Sequence, residues 1–387
     1  MPFFLRCLRW TTRFGLFMGL PRIGLLLDRP LLFVGQRAWT GSIPHQGGRA
    51  DRTSRRSATM KWRDIVRAVR APEHGGPEVM RLEHLPMPKL GDGQALVRVE
   101  VAGVNYIDIQ YRSGAYPVAL PVALGSEGAG VVIEASPGVT TVAIGDRVAW
   151  AGIAGSYAGH LVAPAERLVP LPEGLDFRDG AAAMLQGMTA HYLTHASYPL
   201  KPGDTCLVHA AAGGVGLLLC QMATMRGARV IGTVSTPEKA ELARGAGAAE
   251  VIVYTRQDFV AEVERLTGGA GVQVVYDGVG ADTFLRGLDC LATRGYMILF
   301  GESSGRVEPL DLQLLRGKGS LYVQRPLLFD HVSTRKELLA RAGDVLGWVQ
   351  SGDLTLRIGA VFSLAEAADA HRALEGRRTA GKVLLIP

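Results

Sequence analysis

From about residue 61 to 185 apolar and polar positions alternate in short runs set between turn residues. Four of these runs are Ala95-Leu96-Val97-Arg98-Val99-Glu100-Val101, Gly130-Val131-Val132-Ile133, Asp146-Arg147-Val148-Ala149-Trp150 and Gly159-His160-Leu161-Val162. A period of two at this spacing predicts the strands of a small mixed β domain. From about 200 to 325 the pattern changes to apolar strand-length runs separated by helical stretches, the signature of βαβ units around a parallel sheet. Strands are predicted near 205–210, 228–233, 250–254, 272–277, 294–300 and 320–325. Six of them with intervening helices predict an α/β fold with a Rossmann doubly wound parallel sheet. Beyond Pro326 the periodicities predict a long helix over 334–350, a strand over 356–362, a helix over 364–374 and a last strand over 383–386. This tail is expected to return to the first domain, which makes the Rossmann domain an insertion. The expected division is 1–60 as a basic extension, 61–188 as the first part of the substrate domain, 189–326 as the cofactor domain and 327–387 as the return.

Composition agrees with a globular chain of two or three domains: 387 residues, 48% hydrophobic and 20% charged. The four cysteines, Cys7, Cys206, Cys220 and Cys290, form no CxxC and no zinc-knuckle spacing, so neither a disulfide framework nor structural zinc is expected. The net charge of +6 misleads, because the first 59 residues hold ten Arg and only two acids, leaving −2 for the rest. The body therefore has no general attraction for nucleic acid or membranes. Charges and prolines break every apolar run of the extension well short of a bilayer span. The expectations for 1–60 are a mis-called start ahead of Met60, an Arg-rich mitochondrial transit peptide, or a disordered tail.

Thr205-Cys206-Leu207-Val208-His209-Ala210-Ala211-Ala212-Gly213-Gly214-Val215-Gly216 sets a strand directly before a Gly-rich turn and an apolar helix. In that context Gly213 and Gly214 let backbone approach a pyrophosphate, Gly216 permits close helix–strand packing, and the free N–H groups of the helix start attract phosphate. An NAD-preferring fold carries an acid about 20 residues further on for the ribose 2′-OH. Here the second strand ends without one. Ser235 and Thr236 offer hydroxyls and Lys239 a positive charge one helical turn later, which suits a 2′-phosphate. NADPH is therefore expected over NADH.

The run Gly203-Asp204-x-x-Leu207-x-x-x-Ala211-Ala212-Gly213-Gly214-x-Gly216-x-x-x-x-Gln221 resembles the signature of zeta-crystallin-like quinone oxidoreductases, zinc-free members of the medium-chain dehydrogenase/reductase superfamily. The likeness covers nearly all of 65–387, including His74-Gly75-Gly76-Pro77-Glu78, Gly103-Val104-Asn105-Tyr106-Ile107-Asp108, Tyr276-Asp277-Gly278-Val279-Gly280 and Gly317-Lys318-Gly319-Ser320-Leu321-Tyr322-Val323, but not 1–60. Thr224 departs from the signature, at a helix position. The resemblance implies a GroES-like substrate domain around the Rossmann insertion, and NADPH-dependent reduction of quinones. Zinc-dependent relatives place a Cys three residues before the Asp that corresponds to Asp108, and a His before the Glu that corresponds to Glu127. Asn105 and Ser126 stand there, so a Lewis-acid zinc lacks two of its ligands and no metal is expected.

By the same resemblance Asn105 lies near the nicotinamide, and Tyr116 lies at the substrate cleft, where its phenol can donate a hydrogen bond or proton to a carbonyl oxygen. A second family tyrosine falls at Gln110. Tyr192 and Tyr254 resemble cofactor-contacting tyrosines. Val215, Val279, Phe300, Gly301, Ser303 and Ser304 align with the turns that line the cofactor, and Arg325, Pro326 and Leu328 with a segment that approaches the nicotinamide side. His191 and His195, at helical spacing, read as a packed or surface pair. The segment 320–324 is expected at the edge of the sheet, where family members form a two-fold homodimer.

The nearest enzyme alternative is an NADPH-dependent enoyl-thioester or alkenal reductase on the same scaffold. Such a substrate favours basic residues at the cleft mouth. Arg112 is the one obvious candidate near Tyr116 in sequence, and this tilts the expectation to a quinone substrate. A third alternative is an RNA-binding zeta-crystallin-like protein, which the −2 body charge opposes. Cytoplasm is the default compartment, and mitochondria if residues 1–60 are a transit peptide.

Overall fold

The computed structural model describes residues 65–387, so the expectations for residues 1–60 lie outside the described residues. The first half supplies β1 (Ile65–Ala71), β2 (Arg81–Pro86), β3 (Gln94–Val104), α1 (Tyr106–Ser113), β4 (Val122–Ala123), β5 (Glu127–Ala135), β6 (Arg147–Ala151), β7 (His160–Pro164), β8 (Val169–Pro170) and α2 (Phe177–Tyr192). Then come β9 (Thr205–Val208), α3 (Gly214–Met225), β10 (Arg229–Val234), α4 (Pro237–Gly245), β11 (Glu250–Val253), α5 (Phe259–Thr267), β12 (Val272–Asp277), α6 (Phe284–Gly287), β13 (Leu291–Leu299), α7 (Leu312–Gly317) and β14 (Tyr322–Gln324). The tail forms α8 (Leu328–His331), α9 (Arg335–Ser351), β15 (Ile358–Ser363), α10 (Ala367–Glu375) and β16 (Lys382–Ile386).

All six predicted strands of the 200–325 region exist and form one parallel sheet in the order β11-β10-β9-β12-β13-β14. The order reverses at β9, which puts a crevice beside its carboxyl end, the place where doubly wound sheets take their ligands. Helices cover both faces, so the central strands are apolar throughout: Leu207, Val230, Ile231, Val274 and Ile298 are fully buried. Two departures are local. The predicted last strand shrinks to Tyr322–Gln324, and α2 runs on through a π-helical turn over Leu193–Ser197 that periodicity does not signal.

The other large sheet is mixed, in the order β15-β16-β3-β5-β6-β8 with β7 on β3, and a small sheet β2-β1-β4 lies apart. The tail does return: β16 pairs antiparallel with β3 through Val383 and Val104. The fold is thus a Rossmann sheet inserted into a GroES-like mixed β fold. The division expected at 188/189 falls inside α2, whose Ala-rich face packs on β5 and β6 while its far end meets α3.

Candidate active site

The Gly-rich turn is a cradle made by backbone. Gly213 is the extended N-cap of α3 and no side chain caps the helix, so its first-turn N–H groups are left for a ligand. A Cβ on Gly216 would lie 2.3 Å from the Ala210 carbonyl oxygen, and one on Gly214 only 2.1 Å from Gln186 Oε1. A helix start of this kind fits the pyrophosphate of a dinucleotide. Val215 follows in the first turn of α3.

At the end of β10, Thr236 caps α4 by accepting the Lys239 N–H, and Ser235 accepts the Thr255 hydroxyl at its carbonyl. Lys239 Nζ donates to the Arg377 carbonyl at 2.8 Å. Burial and the nearby Arg377 charge hold the Lys239 ammonium below its usual value. Two cations thus lie close together at this end, an arrangement that fits a phosphate, and Tyr254, exposed, follows β11. Sequence reasoning missed Arg377. Its segment reaches the cradle because the Gly381 N–H donates to the Ala212 carbonyl at 3.2 Å.

Asn105 follows β3 and is buried with its side chain fully engaged. Its Nδ2 donates to Glu127 Oε2 at 2.8 Å, and its Oδ1 accepts from Lys382 Nζ at 2.8 Å and Gln186 Nε2 at 3.1 Å. Lys382 Nζ also bonds the same Glu127 oxygen, and Glu127 Oε1 accepts the Leu185 N–H. Strand register brings these residues together: Gly103 pairs with Glu127 across β3 and β5, while Lys382 opens β16 on the other side of β3. Gly103 makes the room, since a Cβ there would meet Glu127 Oε2 at 2.5 Å and Lys382 Cε at 2.8 Å. Beside Glu127, where a metal-binding relative offers Cys and His, this chain has an internal ammonium. Among the described residues no three His, Cys, Asp or Glu side chains are grouped to hold a metal ion.

Behind Asn105, Asp108 is fully buried and accepts from the Asn105 N–H at 2.9 Å, from the Ser126 hydroxyl and from the Tyr157 phenol at 3.1 Å. Burial outweighs these bonds and pushes its carboxyl up to about 6. The chain continues through His371, whose Nε2 lies 3.1 Å from the Tyr157 phenol and whose Nδ1 lies 3.0 Å from Arg112 NH1. Since a guanidinium only donates, His371 carries its proton on Nε2, and Arg112, His371 and Tyr157 donate in series toward Asp108.

That series corrects the reading of Arg112. It is 1% exposed, paired with Glu375 and bonded to the Gly75 carbonyl, so it is not a basic residue at the cleft mouth. The cation beside Tyr116 is Arg325: its NH2 donates to the Tyr116 phenol oxygen at 3.0 Å. The phenol in turn donates to Glu302 Oε2 at 3.3 Å, and Arg325 pairs with Glu302 at 3.4 Å. Burial, with Glu302 beside it, raises the Tyr116 phenol, and Arg325 opposes the rise.

Glu302 sits in the turn after β13, together with Phe300, Gly301, Ser303 and Ser304. The Ser304 hydroxyl donates to the Val279 carbonyl at 2.8 Å, and the Phe300 N–H to the Asp277 carbonyl at 2.8 Å. Across the cleft the Tyr106 phenol donates to the Ser303 carbonyl at 2.7 Å. Tyr192 is buried and stacks on His331 at 4.3 Å, with the Arg325 charge within electrostatic reach. Pro326 and Leu328 are buried in that segment. His191 and His195 stack at 4.3 Å and lie against Trp348, a packed pair as expected.

Comparison with known proteins agrees with this geometry. Residues 91–173 match the family described as alcohol dehydrogenase GroES-like domain, and residues 214–341 the family described as zinc-binding dehydrogenase. A quinone oxidoreductase of Pseudomonas aeruginosa is 46% identical over 325 residues, 84% of this chain and 100% of the relative. A 2-haloacrylate reductase of a Burkholderia species is 40% identical over 331 residues, 84% of this chain and 99% of the relative. The structure of Escherichia coli quinone oxidoreductase complexed with NADPH superposes with a TM-score of 0.82 at 41% identity, covering 83% of this chain and 100% of that one.

Proposed function

We propose, for a chain that belongs to the zinc-free quinone oxidoreductases of the medium-chain dehydrogenase/reductase superfamily, that quinones are reduced by NADPH in the cleft bounded by Tyr116, Asn105 and the turn after β13. The observation that carries the reading is the meeting of the Tyr116 phenol and the Arg325 guanidinium at one point of that cleft, beside an Asn105 site whose cation is Lys382. When bound, NADPH supplies the hydride, and a proton from solvent completes the hydroquinone.

The residues bind and orient. Gly213, Gly214, Val215 and Gly216 hold the pyrophosphate on the start of α3. Ser235, Thr236, Lys239 and Tyr254, joined by Arg377, hold the 2′-phosphate end. Val279, Phe300, Gly301, Ser303 and Ser304 line the carboxyl ends of β12 and β13, and Tyr192 with Arg325, Pro326 and Leu328 closes the nicotinamide side. Arg325 N–H groups, and the Tyr116 O–H once it turns from Glu302, donate to the acceptor oxygen as it gains charge. Asn105 is held by Lys382, Glu127 and Gln186, so its amide orientation is fixed before ligands arrive. Residues 61–188 and 327–387 serve mainly the substrate and 189–326 mainly the cofactor, with Arg377 lent to the cofactor and Arg325 to the substrate.

An enoyl or haloacrylate substrate is favoured by a different observation, since Arg325 is a cation that a carboxylate can use. The two readings separate by NADPH oxidation with 9,10-phenanthrenequinone against crotonyl-CoA. Quinone-dependent turnover with no activity on the CoA ester, and a loss of roughly a hundredfold in Tyr116→Phe, supports quinone reduction; the reverse preference overturns it.

The half-exposed edge strand β14, with Tyr322 stacked on Tyr296 at 4.5 Å, supports a homodimer through that edge. Sedimentation as a monomer at working concentration contradicts it. No helix among the described residues is long and apolar enough to cross a membrane. The cytoplasm remains the expectation from sequence.

A further inference from the structure

Three charged or polar groups meet at the acceptor end of the cleft, and one of them is an anion that the reduction of a quinone does not require. Glu302 Oε2 accepts a hydrogen bond from the Tyr116 phenol at 3.3 Å and lies 3.4 Å from Arg325, whose guanidinium also donates to the phenol oxygen at 3.0 Å. The Glu302 side chain is 15% exposed against 39% for Arg325, so the carboxylate is the inner partner. Its turn is tied down on both sides, by Tyr106 on the Ser303 carbonyl at 2.7 Å and by Ser304 N–H on the Val279 carbonyl at 2.8 Å. Gly280, at φ +92°, allows close approach from below: a Cβ there would stand 3.1 Å from Glu302 Cα. The carboxylate is therefore a fixed part of the cleft wall.

Resting on the quinone reading above, we infer that Glu302 is a specificity-determining residue that keeps Arg325 occupied and reserves the site for uncharged electron-poor acceptors, excluding those that carry a carboxylate or sulfonate near the reducible carbonyl. An uncharged acceptor oxygen can take an N–H or O–H from Arg325 and Tyr116 while the Glu302–Arg325 pair persists. An anionic substituent must either displace Glu302 from Arg325 or stand beside a second negative charge in a partly desolvated wall, and like-charge juxtaposition is a strong means of rejecting a ligand. The other acids do not change the balance, because Glu375 is paired with Arg112, Glu127 with Lys382, and Asp108 is shielded behind Asn105.

The test compares wild type with Glu302→Gln, which keeps the shape, and with Glu302→Ala, each first shown to bind NADPH. The acceptors are 1,2-naphthoquinone and 1,2-naphthoquinone-4-sulfonate. The ratio of kcat/KM for the sulfonate to that for the neutral quinone should rise roughly tenfold in both variants at low salt, as expected for removal of one partly buried like charge, and the rise should shrink at high salt. The same variants should bind 2-naphthalenesulfonate, which cannot be reduced, roughly tenfold more tightly than wild type in calorimetry with NADP⁺ present. Equal ratios and equal sulfonate affinities in wild type and variants overturn the role of Glu302. Should wild type oxidise NADPH with neither quinone, the quinone reading fails, and the calorimetric comparison alone still decides whether Glu302 rejects anions.

Discussion

The two ends of the crevice are built in opposite ways. The cradle for the dinucleotide is backbone: bare N–H groups at the start of α3, glycines that leave no room for a Cβ, and the two cations Lys239 and Arg377 drawn together. The acceptor end is side chains with their charges already answered, Glu127 by Lys382, Asp108 by Ser126 and Tyr157, and Glu302 by Arg325. An end that leaves bare N–H groups open suits a ligand whose phosphates never change, while a closed, balanced end is preorganised for an oxygen that gains charge only in the reaction.

The largest test of the closed end is Lys382→Met, which strands the fully buried Glu127 carboxylate. It should lose about 3–5 kcal/mol of stability, seen as a lower urea midpoint at unchanged slope, and adding Glu127→Gln should restore most of it. At the open end, Gly216→Ala drives a Cβ against the Ala210 carbonyl and should weaken NADPH binding by about 1–3 kcal/mol, measured by fluorescence titration. Lys239→Ala should then weaken NADPH roughly tenfold and leave NADH unchanged, an exposed-end charge contact being worth about a decade. Equal losses for both cofactors would break the assignment of the 2′-phosphate to that end.

The smallest effect concerns pH. Burial and the Arg112 charge push the His371 imidazole down to about 3, from an ordinary 6.5. A depressed folded value means that the unfolded chain takes up the proton first, so His371 adds stability above pH 6.5 that is lost as pH falls toward the folded value. His371→Gln should flatten the acid limb of urea stability between about pH 6 and 4, whatever its effect on stability at neutral pH.

The same contrast explains what could be read from the chain. The strands of the parallel sheet and the cradle were legible because Thr205 to Gly216 are contiguous and glycine has few other reasons to recur there. Lys239 stood out for the same reason, one turn beyond the end of β10. The acceptor end was not, since its contacts join residues far apart in the chain: Tyr116 and Glu302 are 186 positions apart, Tyr116 and Arg325 209, and Asn105 and Lys382 277. Arg112 was misread for that reason. Its position beside Tyr116 in sequence suggests the cleft, but Glu375, 263 positions on, draws it into the interior. Nothing local in the chain signals Gln186 either, which links the Gly214 cradle to Asn105.

Hydride delivery to a quinone in this cleft is the central step. The deciding measurement is single-turnover oxidation of NADPH by 9,10-phenanthrenequinone, with deuterium placed in turn on each face of the dihydronicotinamide C4. Slowing by deuterium on one face and not on the other, with most of the rate lost but the isotope effect kept in Tyr116→Phe protein that still binds NADPH, is the predicted result. Quinone-independent oxidation, or a rate indifferent to deuterium on both faces and to Tyr116, would contradict it.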